Sequence, residues 1–390
     1  MSDLIEKVKS EIIPQKKEEK EIKEIADKIL NKAEKEVPKG VEVMLVGSVA
    51  KGTFLVDVDI DIFLKFPTNI DLKKEGLDVA RRIITNGEEM YASHPYLRGK
   101  IEGKFVDIVP CYNIEDVKDL KSAVDRTPFH TEYVKKEMNG MENEIRLTKQ
   151  FMKGIGAYGA SSSVGGFSGY LIEILVIEKN GFEGFIKWLS KCKCPLIIHT
   201  IGGNKHRDVM VMEDPVDSKR NVAASVTVDV LSVAILAAKT FLKNESRSYF
   251  FPNHKEKEEC GKITIINLNK PNMDNESALS WLRSEARKII RNLEDFKIIS
   301  YEVKINKKAT IIIESEIIKR TDKIKHIGPE PWKEGSVEFL AKYPNTSIFE
   351  GKMVIAKNPR FKTIENAIQN LIPEAEVKSK EIMPKKLPWL

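Results

Sequence analysis
Between residues 15 and 36 the apolar positions Ile22, Ile25, Ala26, Ile29, Leu30 and Ala33 recur every three or four places among lysines and glutamates, which predicts an amphipathic helix. Pro38 and Gly40 stop it. The period then drops to two. An apolar run over 41–46 reads as one strand and 56–66 as a second, closed by Pro67 and followed by a helix at about 72–85. Runs 96–101 and 104–109, joined through Glu102-Gly103, predict a hairpin.

From 122 to 130 the chain (SAVDRTPFH) reads as a polar loop, and the helical period returns at about 142–158. Gly165-Gly166 opens an apolar helix over 167–177, a further helix spans 182–189, and a short strand at 209–212 leads into a long helix over 222–242. Residues 140–250 are therefore expected to be largely helical. The charged stretch 252–261 reads as a linker. Beyond it a strand (262–268), a helix (276–296) and two strands (298–305 and 310–313) predict part of a split βαβ sandwich, a scaffold often used for RNA. A Gly-Pro-Glu-Pro-Trp turn at 328–332, a strand pair near 347–356 and a helix near 364–371 complete the chain.

A length of 390 residues predicts two to four domains, and 42% apolar with 31% charged residues predicts a globular protein. The 64 basic and 58 acidic residues leave a formal charge of +6, which permits an acidic partner such as RNA without requiring one. Cys111, Cys192, Cys194 and Cys260 form no disulfide framework, and Cys192-Lys193-Cys194 lacks the two-residue spacer of a zinc half-site. Reduced thiols in a cytoplasmic protein are expected. The charged first twenty residues predict no signal peptide, and the apolar helices carrying Glu173 and Asp229 are too short to span a membrane.

The candidate chemistry lies in GSVAKGTFLVDVDIDIFLKF (47–66). In a strand Asp57, Asp59 and Asp61 share one face and Val58, Ile60 and Ile62 the other. Stacked carboxylates repel and are costly to desolvate, so positive charge must sit among them, and divalent metal is the simplest candidate. Asp107, inside the apolar run FVDIV, needs a partner for the same reason and can join Asp59 and Asp61 if the strands are neighbours. Such an oxygen-rich site suits magnesium or manganese, and a small-residue turn before it can hold phosphates. Nucleotidyl transfer follows, with a hydroxyl attacking an α-phosphate and pyrophosphate leaving. Taken singly, other candidates have plainer readings. His130 alone is a satisfied loop histidine, Lys149 with Arg146 and Lys153 a solvated helix face, Tyr158 a core residue, and Arg220 a partner for Asp214 or Asp217.

With FVDIVPCY, SAVDRTPFH, GAYGASSSVGGFSGYLIEIL and EDPVDSKRNVA following in order, this stretch resembles the archaeal-type (class I) CCA-adding enzymes, the tRNA nucleotidyltransferases. The likeness runs from residue 41 to about 251, and HIGPEPWKEG extends it weakly. It implies an α+β multidomain protein: a polymerase-β-like nucleotidyltransferase head (1–138), a helical neck (139–256), an α/β body (257–320) and a tail (321–390). It also implies a homodimer that rebuilds the CCA end of tRNA from CTP and ATP without a template, gripping the acceptor–T arm. The same resemblance makes Asp59, Asp61 and Asp107 the metal ligands, for magnesium (Mg2+) with manganese able to substitute. Ser48, Lys51, His130, Lys149 and Tyr158 would bind the nucleotide, and Arg220 would take part in choosing the base. Two positions depart from the pattern. Lys51 stands where arginine is common, which turns a bidentate phosphate grip into a point charge, and Asp59 stands where glutamate is frequent. Another template-independent tailing enzyme, poly(A)-polymerase-like or oligoadenylate-type, shares the acids, and an RNA-binding protein with a decayed pocket is a further alternative.

Overall fold
The computed structural model describes residues 2–56, 58–91, 95–161, 164–199, 208–252, 261–320 and 323–382. Asp57, Cys260 and most of the expected linker lie outside the described residues. The chain divides into two compact units, the first running to Asn253 and the second from His254 to Leu387.

In the first unit, helices α1 (Ser2–Ile12) and α2 (Lys16–Glu36) precede strand β1 (Glu42–Val46), the short helix α3 (Gly47–Lys51) and strand β2 (Asp59–Phe66). A π-turn over Leu72–Gly76 runs into α4 (Leu77–Ile83), and β3 (Glu88–Tyr91), β4 (Pro95–Ile101) and β5 (Lys104–Tyr112) follow. The strands form one sheet in the order β1-β2-β5-β4-β3, antiparallel except for the parallel β2–β5 pair. Period-two patterning decides which face is which. Ile60, Ile62 and Leu64 of β2, with Val106 and Ile108 of β5, bury against Ile22, Ile25 and Ile29 of α2 and Val79 and Ile83 of α4. Each such side chain contributes about 1.5–3 kcal/mol relative to exposure. The opposite face carries Asp59, Asp61 and Asp107 at one end and a small cluster of Val46, Phe63, Val109 and Cys111 at the other.

Three expectations for this region change. The expected loop over 122–130 is not one: a turn over Ala123–Arg126 leads into helix α5 (Thr127–Glu137), so His130 is helical. Pro128 stands in the first turn, where its missing N–H leaves no hydrogen bond unmade. Helix α6 (Glu142–Gly154) ends before Tyr158, which instead bridges to Phe167. The expected 222–242 helix begins only at α9 (Val228–Phe241), because Asn221 accepts from the backbone N–H groups of Met212 and Ala223 and fixes a turn ahead of it. Between lie α7 (Gly169–Glu178, capped by Ser168), α8 (Phe182–Leu189) and the strand pair β6 (Leu196–Ile197) and β7 (Met210–Val211). Phe151, Phe182, Phe241, Tyr249 and Phe250 fill the centre of this helical layer. Ile5, Val8 and Ile12 of α1, a helix not anticipated from sequence, pack on the same core.

The second unit contains β8 (Gly261–Leu268), α10 (Asn275–Arg291), β9 (Ile298–Ile305) and β10 (Ala309–Ser315). A small three-stranded sheet follows, formed by β11 (Ile324–Ile327), β12 (Ser347–Phe349) and β13 (Lys352–Lys357), with α11 (Ser336–Lys342) between β11 and β12. Helix α12 (Ile364–Leu371), expected within the tail, and the unanticipated strand β14 (Glu376–Ile382) return to the sheet, and β14 completes a four-stranded antiparallel arrangement in the order β14-β8-β10-β9. That closes the split βαβ sandwich of which the sequence showed three strands. Among the described residues no helix is long and apolar enough to cross a membrane.

Candidate active site
The parallel pairing of β2 with β5 sets Asp61 directly opposite Asp107, and Arg98 of β4 stands opposite Asp107 on its other side. Asp59 lies two residues from Asp61 on the same face. Arg98 donates from Nε to Asp107 Oδ1 at 2.8 Å and from Nη2 to Asp107 Oδ2 at 3.2 Å, and its Nη2 also reaches Asp59. One guanidinium therefore links two of the three acids and supplies positive charge that the sequence reading gave to metal alone. Among the described residues no three acidic, histidine or cysteine side chains are already arranged as a metal cage. The donors are nonetheless all carboxylate oxygens around one space, which suits a hard divalent ion. Burial, then Asp107 and Asp59, push the Asp61 carboxyl up to about 7. Burial also raises Asp107, against the pull of Arg98.

The turn entering α3 is built against these acids. Val46 pairs with Asp61 across β1 and β2, and Gly47 follows at φ +71°. A Cβ on Gly47 would lie 2.0 Å from Asp61 Oδ2, so only glycine lets the backbone come this close. Ser48 is the second residue of α3 and Lys51 its last.

Lys51 does not point freely into solvent. Its Nζ donates to Glu173 Oε2 of α7 at 2.5 Å, while Lys149 Nζ of α6 donates to Glu173 Oε1 at 2.8 Å and Thr53 Oγ1 at 3.0 Å. Glu173 is 1% exposed, and although burial alone would raise its pKa, Lys149 and Lys51 hold it down to about 2. Burial lowers Lys51. Lys149 is thus buried rather than part of a solvated face. Its neighbour Arg146 is buried separately on Glu19 and the Phe54 carbonyl, and Lys153 is exposed. At the start of α7, a Cβ on Gly169 would meet the Tyr158 hydroxyl at 3.1 Å and Lys149 Cε at 3.8 Å, which places those two side chains together. Burial pushes the Tyr158 hydroxyl up to about 12.

A second hub forms on Asp214, which is fully buried. Its Oδ2 meets His130 Nε2 at 2.8 Å and accepts from Arg220 Nη1 at 2.7 Å, and its Oδ1 accepts from the Tyr170 hydroxyl at 3.0 Å. The His130 and Tyr170 rings stack with centroids 3.8 Å apart. His130 is lowered by burial against the pull of Asp214, and Asp214 itself, despite burial, is held well below the carboxylate range by His130 and Arg220. The plain reading of Arg220 as a partner of Asp214 describes its contact, and that contact joins it to His130.

Sequence reasoning missed Arg98, Glu173, Tyr170 and the hub role of Asp214. Glu173 carried a usable signal, because a glutamate inside the apolar helix GYLIEILVIE must have a cation from elsewhere in the chain.

A mixed sheet with paired acids on adjacent strands, a glycine turn pressed on one of them and buried lysines beside it defines a nucleotidyltransferase with a polymerase-β-like head. The nucleotidyltransferase domain model matches residues 7–130, the second domain of tRNA nucleotidyltransferase matches 143–251, and the C-terminal domain of the CCA-adding enzyme matches 259–382. The CCA-adding enzyme of Picrophilus torridus is 39% identical over 77% of this chain and 72% of its own length. That of Thermoplasma acidophilum is 36% identical over 90% of this chain and 84% of its own. This chain belongs to the CCA-adding enzyme family. Its fold is shared with a solved variant of the Cid1 poly(U) polymerase bound to MgATP, with TM-score 0.50 and 15% identity over 63% of this chain and 94% of that one. Catalysis in the nucleotidyltransferase family depends on divalent metal.

Proposed function
We propose that this chain adds C, C and A to the 3′ end of tRNA without a template, from CTP and ATP, by attack of the tRNA 3′-hydroxyl on the nucleotide α-phosphate with loss of pyrophosphate. The observation that carries this reading is the cross-strand pair Asp61–Asp107, with Asp59 on the same face and the Gly47–Lys51 turn pressed against it. Asp59, Asp61 and Asp107 would hold magnesium in a two-ion arrangement that manganese also fits. When bound, the metal lowers the pKa of the attacking hydroxyl and neutralises the triphosphate. Ser48, Lys51, Lys149 and Tyr158 align the phosphates, His130 contacts the nucleotide, and Arg220 takes part in choosing the base. The expected division into head (1–138), neck (139–256), body (257–320) and tail (321–390) is retained, except that α12 and β14 of the tail belong to the body sheet and α1 packs on the helical layer. The enzyme works as a cytoplasmic homodimer.

The test uses purified protein, magnesium, labelled CTP or ATP, and tRNA lacking none, one, two or three terminal nucleotides. Ordered C, C, A addition that then stops is expected. ATP tails of indefinite length would instead identify a poly(A)-polymerase-like enzyme, and binding without incorporation a non-catalytic RNA-binding protein.

Two further results are expected. Arg98→Gln frees Asp59 and Asp107 from the guanidinium, so Mn2+ binding to the nucleotide-free protein, followed by electron paramagnetic resonance, tightens by about fivefold to tenfold. Unchanged or weaker binding would mean that the arginine orients the acids without competing for them. Recognition of the acceptor–T arm rests on phosphate contacts and shape, because A-form grooves expose little base information. The tRNA Kd should therefore weaken steadily with salt, and a flat response would contradict phosphate contact.

A further inference from the structure
We propose that Glu173 is a positioning residue of nucleotidyl transfer, whose buried carboxylate holds the Lys51 and Lys149 ammoniums together for the incoming triphosphate. The inference rests on the reading of those two lysines as phosphate ligands. Glu173 comes from α7, Lys149 from α6 and Lys51 from the end of α3, so one side chain joins three segments that meet at the acid-bearing sheet. Its two oxygens divide the work. Oε2 accepts from Lys51 at 2.5 Å, and Oε1 accepts from Lys149 at 2.8 Å and from Thr53 Oγ1 at 2.7 Å. Thr53 in turn accepts from Lys149 through its hydroxyl at 3.0 Å and its carbonyl at 3.1 Å, which fixes the direction of that ammonium.

The charge count separates positioning from simple anchorage. A tie between helices needs one cation and one anion, and even that pair recovers little beyond its desolvation. Here two ammoniums, 8% and 2% exposed, share one carboxylate. Asp61 also attracts Lys51, yet burial still draws Lys51 below the ordinary lysine range. The second cation raises the cost of the cluster in the absence of ligand, and a polyanion offsets that cost on arrival. Glu173 thus keeps two positive charges converged that would otherwise repel one another or turn outward.

Glu173→Gln keeps the shape and removes the charge. It is expected to lower kcat/KM for both CTP and ATP by about 30-fold to 100-fold, the loss of charge-assisted hydrogen bonds, with tRNA Kd unchanged. Binding of ATP in the absence of tRNA, measured by titration calorimetry, should weaken by about tenfold. Lys149→Met tests the underlying reading separately. If it leaves nucleotide kinetics intact, the lysines are not phosphate ligands; if it impairs them while Glu173→Gln does not, the positioning role is wrong. Because Glu173→Gln strands two cations and can lower stability, the double variant Lys51→Met/Glu173→Gln completes a cycle. Positioning predicts that Glu173→Gln costs less in kcat/KM on the Lys51→Met background than in the parent protein, because only Lys149 is then left for the carboxylate to hold. Losses that multiply, or that track Tm instead of nucleotide binding, would overturn the proposal.

Discussion
Asp61→Asn is expected to abolish the addition of both C and A while leaving the affinity for tRNA unchanged. The side chain keeps its shape but loses the charge that would hold metal opposite Asp107. Several kcal/mol of transition-state stabilisation then disappear, about a thousandfold or more in rate. Stability should move the other way. Burial, then the neighbouring Asp107 and Asp59, push the Asp61 carboxyl up to about 7, so the folded state disfavours its ionised form at neutral pH. For a carboxyl raised in this way, stability is full below the unfolded pKa and falls as pH rises through the folded one. The neutral isostere escapes that loss. In chelator at pH 7.5 or above, the Tm of Asp61→Asn should equal or exceed that of the parent protein. A fall of several degrees would show that the residue supports the fold, and selective loss of A addition with C addition retained would contradict a single shared site.

Gly47→Ala is expected to have the next largest effect, although it adds one methyl group and no charge. The new Cβ would stand 2.0 Å from Asp61 Oδ2, and the left-handed backbone at φ +71° adds about 1 kcal/mol of strain for a residue with a side chain. Asp61 must move, or the turn must open. Displacing a reacting or ligating group by about 1 Å costs about a hundredfold in rate, and that loss should appear in kcat for both nucleotides. Steady-state assays with CTP on tRNA lacking CCA, and with ATP on tRNA ending in CC, give the comparison. Activity within a few-fold of the parent would mean that the close approach has no functional consequence.

The period-two patterning made β1, β2, β4 and β5 legible, because burial of one face against α2 and α4 requires it. It also made Asp61 and Asp107 legible as misfits, each a charge in an apolar run. What sat among them was not legible. Arg98 lies in PYLRGKI, whose short-range pattern carries no sign that strand pairing will place it opposite Asp107. Helix α5 was hidden by Pro128, which stops a helix interior and suits a helix start, and α1 by its position ahead of the stronger signal of α2. Glu173, Lys51 and Lys149 meet only in three dimensions. Periodicity assigns each to a face but cannot say which distant face it will meet. The return of α12 and β14 to the sheet begun by β8 is invisible for the same reason, since pairing between remote strands leaves no local trace.

Because β2 and β5 run parallel, no tight reversal can join them, and α4, β3 and β4 must be threaded through before they meet. A nascent chain that has emerged only as far as Phe66 carries half of the acidic pair with nothing opposite it. If these acids hold the metal as proposed, affinity for a divalent ion at this centre would arise only when the fifth strand, Lys104–Tyr112, docks beside β2. Ion binding would mark the moment at which the catalytic sheet is complete.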